Sequence, residues 1–433
     1  MVPREKCLSR MHKRLNMKDR TRRAVLSSIL RLKDNYAEGL KPPPRSFDGV
    51  EITPFFEDRQ AAATISADFE IAWAFRGRSE EERLTRGIRC RRNVPMILSL
   101  LKETRVPITW ATVGHLFLES CERGLSGCPH PEMPRPPKNL RWEGDWYRHD
   151  PCSDWKTQPH WYAPDLIRQI LSSDVPHEIG SHSFSHIDFS ETTSTRELVD
   201  HELKACIRVM SAHKLTLRSL VYPFNNMGHH YLDLIGGLGL TAVRHRDPRV
   251  RLSYPVATPS GVYKLYESMN LRRAKYYHYA EKAALLLEEA IRRQAAYHIW
   301  FHPSDPTEIF EKEFYEIIRL MAELCAQGTL WVVTMGDLAA YCEARERTTL
   351  EVQRAAKDIS VRFTNKYDAA RYGSTLLTLK IESEFTPKQV TLRADGKSQK
   401  LSWRTEVVKP KNGSRRALVV DVPANANELV VQA

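Results

Sequence analysis

The sequence predicts an α/β protein in which a parallel, distorted (β/α) barrel over residues 49–347 is followed by a β-sandwich over residues 355–433. Three observations lead there. Short apolar runs alternate with segments of helical periodicity through the middle of the chain, which is how repeated β-α units read. Chemistry-bearing side chains stand at the ends of several of those runs, as they do at the mouth of a barrel. Beyond Arg347 the apolar period drops to two. At 433 residues the chain is also too long for one ordinary core.

Residues 1–48 are expected to form a basic extension. Within it, residues 19–40 read as one amphipathic helix, with Val25, Leu26, Ile29, Leu30 and Leu32 on a broad apolar side that docks on the main domain. Pro42-Pro43-Pro44 stops that helix. The barrel then begins. Buried strands are predicted at 62–69, 107–113, 177–181, 217–222, 241–244, 298–301 and 329–334. Helices are predicted at 93–103, 164–172, 194–211, 275–295 and 311–326, with a further element at 232–237. Residues 120–163 break the rhythm with Pro129, Pro131, Pro134, Pro136 and Pro137 and few aliphatics. A loop of that length is usually functional or disordered. Its Trp142, Trp146, Trp155 and Trp161 either form an aromatic platform for a sugar ring or pack the loop onto the barrel rim. In the C-terminal part Ile359/Val361/Phe363, Leu377/Leu379/Ile381, Val390/Leu392, Leu401/Trp403, Val419/Asp421 and Leu429/Val431 alternate, with turns at Asp395-Gly396 and Asn412-Gly413. This region carries no acid/base cluster; glycan binding, capping of the barrel and dimerisation are all open to it.

Composition narrows the function classes. A 42% hydrophobic content and a mean hydropathy of -0.46 suit a soluble globular protein, and no apolar run is long enough to span a membrane. The first residues contain no apolar secretory core. Cysteines at 7, 90, 121, 128, 152, 206, 325 and 342 form no Cys-x-x-Cys pair, so reduced thiols and a cytoplasmic location are expected. The net charge of +12 sits at the ends, since residues 1–45 carry thirteen Lys/Arg against Glu5, Asp19, Asp34 and Glu38. The middle is slightly acidic, which argues against a nucleic-acid enzyme. The basic ends are solubilising surface, or they attract a phosphate-bearing substrate or an anionic membrane face.

Four segments carry candidate chemistry. His182 and His186, in Glu178-Ile-Gly-Ser-His-Ser-Phe-Ser-His186, stand four apart, which would put both imidazoles on one side of a helical turn as a metal site needs. A second such pair is His298 and His302. Asp68 and Glu70 lie two apart at the end of an apolar strand and so face one way; burying two carboxylates there is costly without a cation or a catalytic role. Val221-Tyr-Pro-Phe224 is a proline-bearing strand exit that aims a backbone N–H, and His302 ends a late strand.

In this order the segments resemble the polysaccharide deacetylase family (NodB homology domain, carbohydrate esterase family 4). The likeness rests on Asp68-Phe-Glu70, His182-Ser-Phe-Ser-His186, Tyr222-Pro-Phe224 and Trp300-Phe-His302, with Val106–Gly114 similar to the family's second strand. It covers roughly residues 60–342 and singles out His182/His186 over His298/His302 as the metal pair. The resemblance implies a barrel of NodB type and a divalent metal, with zinc expected from two imidazoles and a carboxylate. It further implies Glu70, His182 and His186 as ligands, Asp68 as general base, His302 as general acid and the Phe224 N–H as oxyanion donor; exchange of the Asp68 and Glu70 roles stays open. The family often has Arg two residues before the motif proline; Val221 stands there, with Arg244 or Arg246 as substitutes from the next strand. An Asp-containing fourth motif is not evident. The implied activity is N-deacylation of an acylated amino sugar, a cytoplasmic nucleotide-sugar, lipid-linked or small glycoside precursor. The alternatives are a C–N hydrolase acting on a non-sugar amide and a catalytically silent glycan-binding protein, which metal analysis would separate.

Overall fold

The computed structural model describes residues 40–272, 279–394, 397–408 and 415–433. The predicted helix at 19–40, the start of that at 275–295 and both predicted C-terminal turns lie outside these residues, apart from Leu40.

The barrel is built on Ala61–Phe69, nine residues buried throughout, flanked on one side by Thr109–Thr112 and on the other by Ala296–Phe301, both parallel to it. From Thr109–Thr112 the sheet continues in parallel through Glu178–Ser181, Ser219–Leu220, Ala242–His245 and Tyr263–Tyr266. Met269–Asn270, directly after that last strand, pairs instead with Ala296–Phe301. One segment thus meets both flanks of the curled sheet: the Glu267 N–H donates to the His245 carbonyl and the Ser268 N–H to that of His298. This is a distorted barrel. The strands from Ala61–Phe69 through Ala242–His245, and Ala296–Phe301, are buried on both faces because helices such as Glu80–Thr104, Arg196–Ala212 and Tyr315–Ala326 cover the outside.

Several elements differ from expectation. The first long helix starts at Glu80 rather than 93, capped by Ser79, whose side chain accepts from the Glu82 N–H. The strand Tyr263–Tyr266 was not predicted; its alternation is only four residues long. His182–His186 is not a helical turn but an irregular bend, with Ser183 at φ 56° and His186 at φ 56°. Residues 118–163 hold no helix or strand.

The C-terminal part is a two-sheet sandwich. One sheet runs Thr348–Arg354, Asp358–Asn365, Glu428–Gln432, Gln389–Ala394, Lys397–Lys400. The other runs Ser46–Phe47, Val50–Ile52, Leu376–Ser383, Arg415–Pro423, Arg404–Val408. Leu401 and Trp403 lie between strands rather than in one, and the inward set near 419 is Leu418, Val420 and Val422, one residue out of the predicted phase. Val50–Ile52 pairs with Leu379–Ile381, so residues that precede the barrel complete the sandwich. Helix Met335–Arg347 lies between the two parts. Its Tyr341 hydroxyl donates to the Thr53 carbonyl, and the buried Arg345 guanidinium donates to the carbonyls of Pro43, Ile52 and Thr53. No helix among the described residues is long and apolar enough to cross a membrane.

Candidate metal centre and active site

The C-terminal ends of the barrel strands deliver all six candidate residues to one cavity of about 640 Å³. Asp68 stands one residue before the end of Ala61–Phe69, and Glu70 (φ -131°, ψ -21°) follows that strand at the entry to the short helix Ile71–Phe75. His182 leaves Glu178–Ser181, Phe224 sits in the turn after Ser219–Leu220, and His302 follows Ala296–Phe301.

Glu70 is the hub. Its Oε2 lies 3.1 Å from His182 Nε2 and 3.0 Å from His186 Nε2, while its Oε1 is 3.3 Å from His302 Nε2. His182 Nδ1 donates to the Val221 carbonyl at 2.8 Å, so in the neutral ring the Nε2 lone pair faces a carboxylate oxygen. Two lone pairs at that distance call for a cation between them. Nitrogen and oxygen ligands about 2.0–2.1 Å from a tetrahedral zinc stand roughly 3.3 Å apart, close to what this triad shows. Burial pushes the pKa of His186 down to about 4, which keeps it a neutral ligand, and its Nδ1 has no hydrogen-bond partner among the described residues. Burial opposes ionisation of Glu70, but His302, His182 and His186 together hold its carboxyl well below the usual range. Glu70, His182 and His186 therefore fit a divalent metal.

Asp68 stands apart from that triad. Arg244 grips it with Nη1–Oδ1 at 2.5 Å and Nη2–Oδ2 at 2.8 Å, and also donates to Ser66 and Asn225. Both partners are buried, and Arg244 and the two neighbouring imidazoles outweigh the burial that would otherwise raise the Asp68 pKa. Arg244 thus occupies the place considered for it, whereas Arg246 is half-exposed and pairs with Glu267 at 3.3 Å. His302 Nε2 lies 4.0 Å from Asp68 Oδ2, and its Nδ1 lies 3.3 Å from Asp305 Oδ2. Burial would lower its pKa, but Glu70, Asp305 and Asp68 raise it overall. Asp305 was missed in the sequence; its signal was its position three residues after His302.

The bend that carries both histidines is braced from outside. The buried Glu202 accepts from the Ser185 N–H at 2.8 Å and from its hydroxyl at 2.6 Å, while Arg76 donates to the Ser185 carbonyl at 2.6 Å. Phe224 (φ 59°) and Asn225 (φ 55°) adopt left-handed conformations at the cavity wall, the kind of backbone that clusters at functional sites. Of the four loop tryptophans only Trp142 lines the cavity; Trp146 and Trp161 are buried in the core. Trp300 lines it too, with Arg78, Arg141 and Arg272. His298, by contrast, is a satisfied core histidine, bonded to Thr64 at 2.7 Å and Ser66 at 3.0 Å.

None of the curated proteins matches this chain. Among the solved structures that do, one from Mycobacterium smegmatis, provisionally titled a polysaccharide deacetylase, is 17% identical, covers 73% of this chain and 99% of its own, and superposes with a TM-score of 0.46. The model of the polysaccharide deacetylase family matches residues 85–243, a span that holds His182 and His186, while Asp68, Glu70, Arg244 and His302 join them through the fold. Residues 85–243 are thus a polysaccharide deacetylase domain.

Proposed function

We propose that the chain is a metal-dependent N-deacetylase that removes acetyl, or another small acyl group, from an amino sugar. The observation that carries this is the single cavity in which Glu70 Oε2 lies between two imidazoles while Asp68 and His302 flank the same space. Glu70, His182 and His186 would hold the ion, zinc by ligand type. A bound zinc supplies polarisation of the amide carbonyl and acidification of water. Asp68, fixed by Arg244, accepts the proton of the attacking water. The raised proton affinity of His302 keeps Nε2–H ready for the departing amine, and Asp305 orients the ring through Nδ1. The Phe224 N–H stabilises the developing oxyanion. The products are a carboxylate and a free amine.

The substrate is a phosphate-bearing precursor, a nucleotide sugar or a lipid-linked sugar. The support is the basic rim: Arg141 is paired with Asp188 at 2.7 Å, but Arg78 and Arg272 have no ion pair among the described residues. Trp142, half-buried at the cavity wall, offers an apolar face to a sugar ring. The test is acetate release by zinc-loaded protein from N-acetylated nucleotide sugars and from chitin oligomers. Release from the former, abolished by chelation, is expected. No release from any acylated amino sugar overturns the deacetylase reading, and release from chitin oligomers alone overturns the substrate class.

A further inference from the structure

Away from the cavity, a second set of metal-type ligands converges where the long loop meets the barrel. His115, in the turn after Thr109–Thr112, is joined by Cys121, His130 and Asp150 from the loop, and their ligand atoms all lie within 4.8 Å of one another. Asp150 Oδ2 is 2.9 Å from His130 Nε2, 3.2 Å from His115 Nε2 and 3.7 Å from Cys121 Sγ. In a tetrahedral zinc site, nitrogen and oxygen ligands stand roughly 3.3 Å apart and sulfur stands roughly 3.6 Å from either. His115 is wholly buried, and neither ring nitrogen makes a well-aligned hydrogen bond among the described residues, although Asp150 Oδ2 stands 3.2 Å from Nε2. An imidazole left in that state is costly unless something fills the space it faces.

We propose that His115, Cys121, His130 and Asp150 bind a structural zinc ion. The chemistry is self-consistent. A thiolate and a carboxylate neutralise the ion's two charges, so the assembled site can be buried without net charge. Binding releases the Cys121 proton and the proton that Asp150 favours on His130, so that both imidazoles act as neutral donors. Outer contacts already orient the ligands: the Cys152 N–H fixes Asp150 Oδ1 at 2.9 Å, which leaves Oδ2 for the ion, and the Tyr162 hydroxyl lies 3.1 Å from Cys121 Sγ. Cys121 and His130 also line a surface cavity of about 320 Å³, which provides an entry path. The zinc ties residues 118–163, which lack secondary structure, to the barrel, and that loop supplies Leu140, Arg141 and Trp142 to the active-site wall.

Cobalt substitution separates this site from the catalytic triad, which contains no sulfur. Wild-type protein reconstituted with Co²⁺ should bind two equivalents and show a thiolate-to-cobalt charge-transfer band in the near ultraviolet. Cys121→Ser should lose the band and one equivalent, whereas His186→Ala should lose one equivalent and keep the band. Should Cys121→Ser fail to fold, alkylation of wild-type protein serves instead: Cys121 should be protected when metal is bound and modified after chelation. A wild-type protein without the band, a band that survives Cys121→Ser, or equal alkylation in both states overturns the proposal.

Discussion

Arg244 offers the sharpest test of how the site is divided between metal and proton chemistry. It makes two charged hydrogen bonds to Asp68 and none to Glu70, and it is 1% exposed. Replacing it with Met preserves bulk but leaves a buried carboxylate without its cation, a change that typically destabilises by about 3–5 kcal/mol. Arg244→Lys keeps the charge and loses the fork, and the loss of one charged bond costs about 1.5–3 kcal/mol. Asp68 then turns toward His302, now 4.0 Å away, and no longer faces the attacking water. In Arg244→Met kcat should fall on the order of 10²-fold, the low end of what a general base contributes, while KM and bound metal stay near wild type. Arg244→Lys should recover part of the loss. The assays are urea denaturation, metal content and steady-state kinetics on the same preparations. An unchanged kcat in a folded Arg244→Met protein would refute the orienting role, and loss of metal would show that Asp68, not Glu70, completes the triad.

Three other outcomes are expected. Asp68→Asn should retain metal and lose about 10²–10⁴-fold in kcat, whereas Glu70→Gln should lose metal affinity first; metal analysis beside kinetics would reveal exchanged roles. Arg272→Ala should raise KM for a phosphate-bearing substrate and flatten its salt dependence with kcat nearly intact, as measured at low and physiological ionic strength. Burial pushes the His298 pKa down to about 3, so the unfolded chain takes up the proton first and the contribution to stability is lost as pH falls from about 6.5. Between pH 7 and pH 5 wild-type protein should therefore lose about 2 kcal/mol more than His298→Gln, read from urea midpoints.

The catalytic residues were legible because each sits at a fixed offset from an apolar strand, and strand ends survive in sequence as a change from apolar to polar. Asp68, Glu70 and His302 are of that kind. Arg76 and Glu202 are not, because they lie on other elements and reach the site only through packing, and the sequence offered Arg244 only beside Arg246, without a signal to choose between them. Ser79-Glu80-Glu81-Glu82 announced the true start of the first helix, but the highly charged turns that follow hid its period. The His115, Cys121, His130 and Asp150 spacing is irregular because the ligands come from a loop rather than from a hairpin of regular length. Val50–Ile52 pairs with a partner far along the chain, which no local pattern reports.

That last pairing makes the barrel an insertion within the sandwich. The Glu57 N–H bonds to the Thr378 hydroxyl across 321 residues, and Lys380 reaches back to Asp58. During synthesis at about 5–20 residues per second, Val50–Ile52 emerges tens of seconds before its partner strand exists. Until then it is an unpaired edge, open to wrong partners. A chain cut after Arg347 would keep every catalytic residue and leave that edge permanently open. The sandwich thus acts as a clasp that closes only when translation has passed the barrel, and a barrel expressed alone should aggregate in proportion to how much of residues 46–52 it retains.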